Sequence, residues 1–201
     1  MTLPRSSPAT RTTTQLLDAL RDPRDDASWG SIDARFRPVV QGLARRMGLN
    51  YSEAEEAAQQ TLSEFVRAYR DNRYDRASGR LSSWILGIAR NTILGNLKRR
   101  GAGETLAEDD RFSEAHLRSA WSEERDYVVL GEALALLRDD SGVDDRTLLA
   151  FELTGLRGVP APEAASQCGM TVDQVYVAKS RITRRLRDLV RELTDAFEED
   201  R

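Results

Sequence analysis

The chain has 201 residues, 40% of them hydrophobic but only 6% aromatic, and a formal net charge of −3. That length holds one large or two small domains with modest aliphatic cores, while a single cysteine excludes an internal disulfide and a single histidine leaves no zinc cluster to assemble. No apolar run approaches the roughly 20 residues of a membrane span, and the opening MTLPRSSPATRTTT lacks the apolar stretch of a signal peptide, so a cytoplasmic protein with no membrane partner is expected.

Residues 1–13, rich in Thr, Ser and Pro, read as a disordered lead. Residues 14–21 and 26–36 look helical; Pro38 is expected to break the pattern before a further helix that runs through Met47 and ends at Gly48. Ser52 is a candidate cap for the next helix, whose inward stripe is Ala58, Leu62, Phe65, Val66 and Tyr69. Its opposite face shows Glu53, Glu55, Glu56, Gln59 and Gln60. A polar loop, residues 71–80, leads into a basic helix that places Leu81, Trp84, Ile85, Ile88, Ala89, Ile93 and Leu97 toward the core at three- and four-residue spacing. From Arg67 to Arg100 nine Arg and Lys stand against only Asp71 and Asp75, a balance that favours a polyanion. Tyr69, Tyr74 and Trp84 lie among these cations. Unpaired bases stack on such rings at roughly 1–3 kcal/mol each, whereas a paired duplex hides its base faces, so the surface suits single-stranded or melting DNA. Taken alone, the segment also fits a solvated basic helix packed on its neighbours. These elements form a first helical domain, residues 14–101.

Residues 102–123 read as an acidic linker, because eight acids from Glu104 to Asp126 face three arginines; Phe112, Leu117 and Trp121 imply that part of it is ordered or docked. His116, within it, reads as a solvated side chain. The second domain, residues 124–201, should contain helices over 124–138, 144–154, 160–167 and 171–196. Its last two, joined by Cys168-Gly169-Met170, have the character of a helix-turn-helix. Cys168 reads as a small packing residue. Thr171 and Gln174 form a T-x-x-Q capping box that fixes the start of the second helix. Val172, Val175, Ile182, Leu186, Leu189 and Leu193 should face inward, leaving Asp173, Gln174, Tyr176, Val177, Ser180, Arg181 and Arg184 outward and Lys179 between. No alternating strand pattern occurs anywhere, so the expected fold is all-α, two small helical domains joined by the acidic linker. No phosphate loop, dinucleotide fingerprint or Ser/His/Asp set is present, and neither enzymatic activity, a cofactor nor a metal is expected.

The order of these elements resembles the extracytoplasmic-function (ECF, group IV) sigma factors, the compact two-domain branch of the bacterial RNA polymerase sigma-70 family. The likeness runs from about Gln15 to Leu193 and is strongest in AEEAAQQTLSEFVRAY (Ala54–Tyr69), YDRASGRLSSWILGIARN (Tyr74–Asn91) and the module from Asp145 to Leu186. VYVAKSR (Val175–Arg181) and TTTQLLDALRDPRDDASW near the start are similar to the variant abundant in planctomycetes. The resemblance implies core RNA polymerase and promoter DNA, both duplex and single-stranded, as partners. It assigns Glu55, Glu56, Gln59 and Gln60 to the beta-prime clamp helices, with the beta flap as a further polymerase contact. It assigns the minus-ten element to a surface of Tyr74, Arg80, Trp84, Arg90, Asn91, Lys98, Arg99 and Arg100. Asn91 there helps hold a flipped base in a pocket closed by the 71–80 loop, at an unstacking cost of a few kcal/mol.

The helix starting at Thr171 would enter the major groove of the minus-thirty-five element. Gln174 and Arg181 are best placed for base edges, Tyr176 and Val177 lie on the same face, and Lys179, Ser180, Arg184 and Arg185 suit phosphate. The acidic linker would run through nucleic-acid channels of the polymerase, or serve only as a tether. Two departures stand out. The family's V-K-S-R is replaced by Val175, Tyr176, Val177 and Ala178 with the cations displaced to Lys179 and Arg181, and the usual glutamate of the docking helix is Gln60, followed by Thr61. Thr61 is thereby a candidate phosphosite, where a kinase would add roughly −1.5 to −2 of charge; an anti-sigma factor is the other candidate regulator. Outside the holoenzyme a monomer is expected. The competing reading is a stand-alone helix-turn-helix transcriptional regulator that never engages polymerase.

Overall fold

The computed structural model describes residues 16–17, 20, 26–75, 79–101, 110–139 and 142–197, all helix or connecting turn. The 1–13 lead and residues 102–109 of the linker lie outside them. The described residues divide into two units, one holding those up to Val128 together with those from Asp195, the other Val129–Thr194. No described helix is long and apolar enough to cross a membrane.

In the first unit, α1 (Asp26–Arg46), α2 (Tyr51–Arg70) and α3 (Leu81–Arg99) pack in sequence order, α2 against both neighbours. Pro38 does not end a helix; it sits inside α1. Removing the N–H that would bond the carbonyl four residues earlier costs about 3 kcal/mol. Phe36, Val39, Val40 and Leu43 around it are fully buried, at about 1.5–3 kcal/mol each, which offsets that loss. Helix α2 is capped by Asn50 rather than Ser52: Glu53 N–H donates to Asn50 Oδ1 at 3.0 Å and Asn50 N–H donates to Glu53 Oε2 at 2.9 Å. The buried face of α2 is Ala54, Ala57, Ala58, Thr61, Leu62, Phe65 and Ala68, narrow enough for close helix approach. Leu16, Leu17 and Leu20 are buried in the same core, and Leu20 N–H donates to Leu16 O as in a helical turn.

A short 3₁₀ turn (Asp110–Phe112) and α4 (Glu114–Asp139) follow. Much of what composition marks as linker is therefore helix, and its first half belongs to the first unit, because Phe112, Leu117, Ala120 and Trp121 are buried in that core. Trp121 stacks near Phe36, with ring centroids 6.4 Å apart. Arg46 bridges Glu123 at 2.5 Å and Glu124 at 3.1 Å, and Gly42 leaves room for the Glu124 carboxylate, which a β-carbon there would meet at 2.0 Å. The Arg46 hydrogen bond, with its charge, holds the Glu123 carboxyl below the ordinary glutamate value. The acids of this stretch thus secure a helix as well as carry charge. Arg35 is buried, donates to Ala196 O at 2.6 Å and lies over the Phe197 ring; burial lowers its pKa to about 10, so it stays cationic at neutral pH.

The second unit contains α5 (Asp145–Phe151), a π turn (Glu152–Leu156), α6 (Ala161–Cys168) and α7 (Val172–Phe197), whose last residues fall in the first unit. Asp144 caps α5 by accepting from Thr147 N–H. The π turn closes around Gly155, where a β-carbon would stand 2.9 Å from the Phe151 ring. Ala150, Leu153, Ala164, Ala165, Cys168, Val175 and Ala178 form its small-residue core, with Cys168 packed inside as its position implies.

Candidate nucleic-acid interface

Helix α7 begins as its sequence dictates. Thr171 N–H donates to Gln174 Oε1 at 2.8 Å and Gln174 N–H donates to Thr171 Oγ1 at 3.2 Å, closing the capping box. The preceding turn takes the left-handed conformation at Gly169 (φ 60°, ψ 42°). Arg146, which sequence reasoning passed over, fastens this turn by donating from Nε to Cys168 O at 3.0 Å and from Nη2 to Gly169 O. A β-carbon at residue 169 would meet that guanidinium at 3.0 Å, so glycine there serves both the backbone angle and the clamp. An arginine between a helix and the turn below it leaves no periodic trace, and the signal that could have found it is the positive-φ glycine with two otherwise unserved carbonyls.

Val175, Ala178, Ile182, Leu189 and Leu193 are buried, and Gln174, Tyr176, Val177, Lys179, Ser180, Arg181 and Arg184 are exposed; Arg185 is half-buried. Tyr176 and Val177, at 59% and 67% exposure, are large apolar surfaces open to solvent. A groove of about 540 Å³ collects Gln174, Val177 and Arg181 with Arg146, Thr147 and Asp173. Thr147 and Asp173 add an hydroxyl and a carboxylate to the side chains expected there. Gln174 turns its Oε1 onto its own helix start, so its Nε2 is the amide group left uncommitted by the cap. Lys179 is tied back, donating to Thr154 O at 3.4 Å.

The first unit sorts its expected site residues differently. Glu55, Glu56 and Gln59 are exposed on α2 and Gln60 is half-buried, with Gln60 Nε2 donating to Glu56 Oε1 at 2.8 Å. Thr61 is fully buried and its hydroxyl donates to Ala57 O at 2.7 Å. The candidate phosphosite thus faces the core, where a small β-branched residue fits, and a kinase would need α2 to open before it met that oxygen.

The aromatics expected to receive bases pack largely on one another. Tyr74 and Trp84 stack at 5.0 Å and 24°, Trp84 meets Phe65 edge-on at 5.6 Å, Phe65 lies 6.0 Å from Tyr69, and Tyr69 Oη donates to Leu17 O. Tyr74 Oη donates to Gly79 O, closing the loop from within. Tyr74 and Trp84 are half-buried, so part of each ring is already covered.

The cations divide among separate environments. Asn91, with Arg99, lines a groove of about 790 Å³ that also contains Glu56, Gln59, Gln60 and Glu64 of α2. No described residue of the 71–80 loop lines this groove; Asn91 instead shares it with Glu56, Gln59 and Gln60, the side chains expected to dock, and lies about two helical turns along α3 from Trp84. Arg90 points to the other flank, donating to Phe112 O at 3.4 Å. Arg99 donates to Asn96 Oδ1, and Arg100 bonds Gly48 O and pairs with Glu53 at 3.0 Å. Lys98 and Arg80 are exposed.

Compared with known proteins, residues 33–102 match the family model for Sigma-70 region 2, which takes in α2, the loop and α3. The ECF RNA polymerase sigma factor RpoE of Cereibacter sphaeroides is 26% identical over 169 residues, covering 80% of this chain and 91% of that protein. No solved structure matches significantly.

Proposed function

We infer that the chain is an ECF sigma factor: a subunit that binds core RNA polymerase and directs promoter recognition, DNA melting and transcription initiation. The observation that carries this is the match of residues 33–102 to Sigma-70 region 2, joined to a likeness that continues over most of the chain. A stand-alone helix-turn-helix regulator would account for the second unit alone and leave the first without a task.

In this reading the chain makes and breaks no bond in DNA; polymerization belongs to the core enzyme, and sigma contributes binding energy and geometry. Glu55, Glu56 and Gln59, exposed on one side of α2, supply the face for the beta-prime clamp helices, where an acidic surface steers and orients a basic partner. Exposed Lys98 and the groove holding Asn91 and Arg99 adjoin that face, so strand separation would occur at the edge of the docking surface. Helix α7 would lie in the major groove of the upstream element, the clamped turn fixing its entry angle. Arg181 offers the fork that suits guanine, and Gln174 offers Nε2 as a donor to a purine N7 or a carbonyl oxygen. Ser180, Arg184 and Arg185 would hold phosphates, Lys179 would join them on releasing the Thr154 carbonyl, and the beta flap would retain the second unit at its proper spacing.

Core binding tests the docking face. Reversing both charges (Glu55→Lys with Glu56→Lys) should weaken holoenzyme formation by tenfold or more, about 1.4 kcal/mol, measured by titration of labelled protein with core polymerase. Unchanged affinity would remove this face from the account.

A further inference from the structure

Helix α3 is flanked by two grooves of opposite electrostatic character. The one shared with α2 contains Arg67 and Arg99 against Glu56 and Glu64, an even balance. On the other flank, two adjoining pockets of about 200 and 330 Å³ share Ser83, Leu86 and Arg118 and run between α3 and the first turns of α4. Their charged lining is Arg80, Arg90, Arg118 and Arg125 against Glu114 alone. The Glu114–Arg118 pair is largely exposed on both sides, and Arg125 donates from Nε and Nη2 to the exposed Asp126 carboxylate at 3.1 and 2.9 Å, so a phosphate must compete with two carboxylates that solvent screens. Ser82, Ser83 and Ser122 add hydroxyl groups to the same lining. At Gly87 nothing stands within 4 Å of where a β-carbon would be, which keeps the floor open beside Arg90.

Building on the sigma-factor reading, we propose that this groove is a phosphate track for single-stranded DNA, and that Arg118 and Arg125, on the segment composition marks as an acidic linker, are phosphate ligands. The chemistry is that of a sequence-independent strand path: several guanidinium groups in line, hydroxyls between them, and two solvent-screened carboxylates, Glu114 and Asp126, that a phosphate would displace. Local sign decides such binding, since screening isolates the groove from acids beyond about 8–10 Å. The ordered half of α4 makes one wall, and its docking through Phe112, Leu117 and Trp121 brings those arginines opposite α3.

The test uses the full-length chain and a fluorescent dT20 oligonucleotide, with affinity followed by anisotropy from 50 to 200 mM salt. Losing two phosphate contacts should make the slope of log K against log salt shallower by about 1.4, at roughly 0.7 per contact for a single strand. Arg118→Gln with Arg125→Gln should show that change. Arg118→Lys with Arg125→Lys, and Arg157→Gln in the second unit, should not. A slope unchanged in the Gln variant overturns the proposal, and tighter binding would show instead that this segment covers the α3 face. Photocrosslinking of 4-thiothymidine-substituted dT20 to the wild-type chain needs no variant to fold; it must label the peptide 111–125, and label confined to other peptides also overturns it. Failure here with wild-type protein that still supports initiation on core polymerase removes the track and leaves the sigma-factor reading intact.

Discussion

Helices α3 and α7 both carry cations that the proposed function turns toward DNA, yet they expose them in different ways. Along α7 one side is buried at Val175, Ala178, Ile182, Leu189 and Leu193 and the other holds Gln174, Val177, Arg181 and Arg184 toward solvent. Along α3 both flanks have neighbours: Arg90 reaches the Phe112 carbonyl, Arg99 lines a groove with Glu56 and Glu64 of α2, and Arg100, just past the helix end, reaches the Glu53 carboxylate. An amphipathic period separates inside from outside, and on α7 that is nearly the whole answer. On α3 what matters is which neighbour stands over each flank, and that is a tertiary property which spacing does not encode.

The sharpest way to break this contrast is to remove the centre of the first unit's aromatic group. Phe65 is fully buried between Trp29, Tyr69 and Trp84. Phe65→Ala should destabilise the first unit by about 3–5 kcal/mol, read as a lowered urea midpoint, and should loosen Tyr74 and Trp84 with it. A loss under 1 kcal/mol would mean that these rings are not held as a structural cluster and remain available as base platforms.

That cluster also shows how far the sequence could be read. The all-helical architecture, the boundaries of α2, α3, α6 and α7, the capping box at Thr171 and the packing of Cys168 follow from local chemistry, and the structure contains each within a residue or two. The continuity of α1 through Pro38 did not, because four buried side chains outweigh one lost hydrogen bond only after the core is assembled. Nor did the helical first half of α4: its many acids resemble a solvated tether until Arg46 and the buried Phe112, Leu117 and Trp121 are seen to hold them. Among site residues, the outward face of α7 was legible, whereas Arg146 and the separation of Arg90 from Asn91 required the packing.

A middle-sized effect sharpens the α7 side of the comparison. Gln174→Glu keeps an oxygen at the cap, so Thr171 N–H remains satisfied and the unfolding midpoint should hold, while the Nε2 donor is lost. Binding to the upstream duplex by holoenzyme should fall by about 1–3 kcal/mol at a single base-pair position. A uniform loss over all sequences would make Gln174 a backbone contact; a lowered midpoint would mean that the cap needs the amide itself.

The smallest expected effect belongs to Thr61. Thr61→Val preserves shape and leaves Ala57 O its intrahelical partner, so stability should change by under about 1 kcal/mol and core-polymerase affinity in cell-derived protein should match wild type. A clear loss of core binding in Thr61→Val would revive a role for that hydroxyl.

Transcription in vitro bears most directly on the central claim. Purified chain, native core polymerase and a promoter library should yield discrete start sites that are absent with core alone, each with a melted segment downstream of a shared upstream element. If core polymerase binds the chain but initiates on no template, or if the chain protects duplex DNA equally well without polymerase and adds nothing to initiation, the sigma-factor account is wrong.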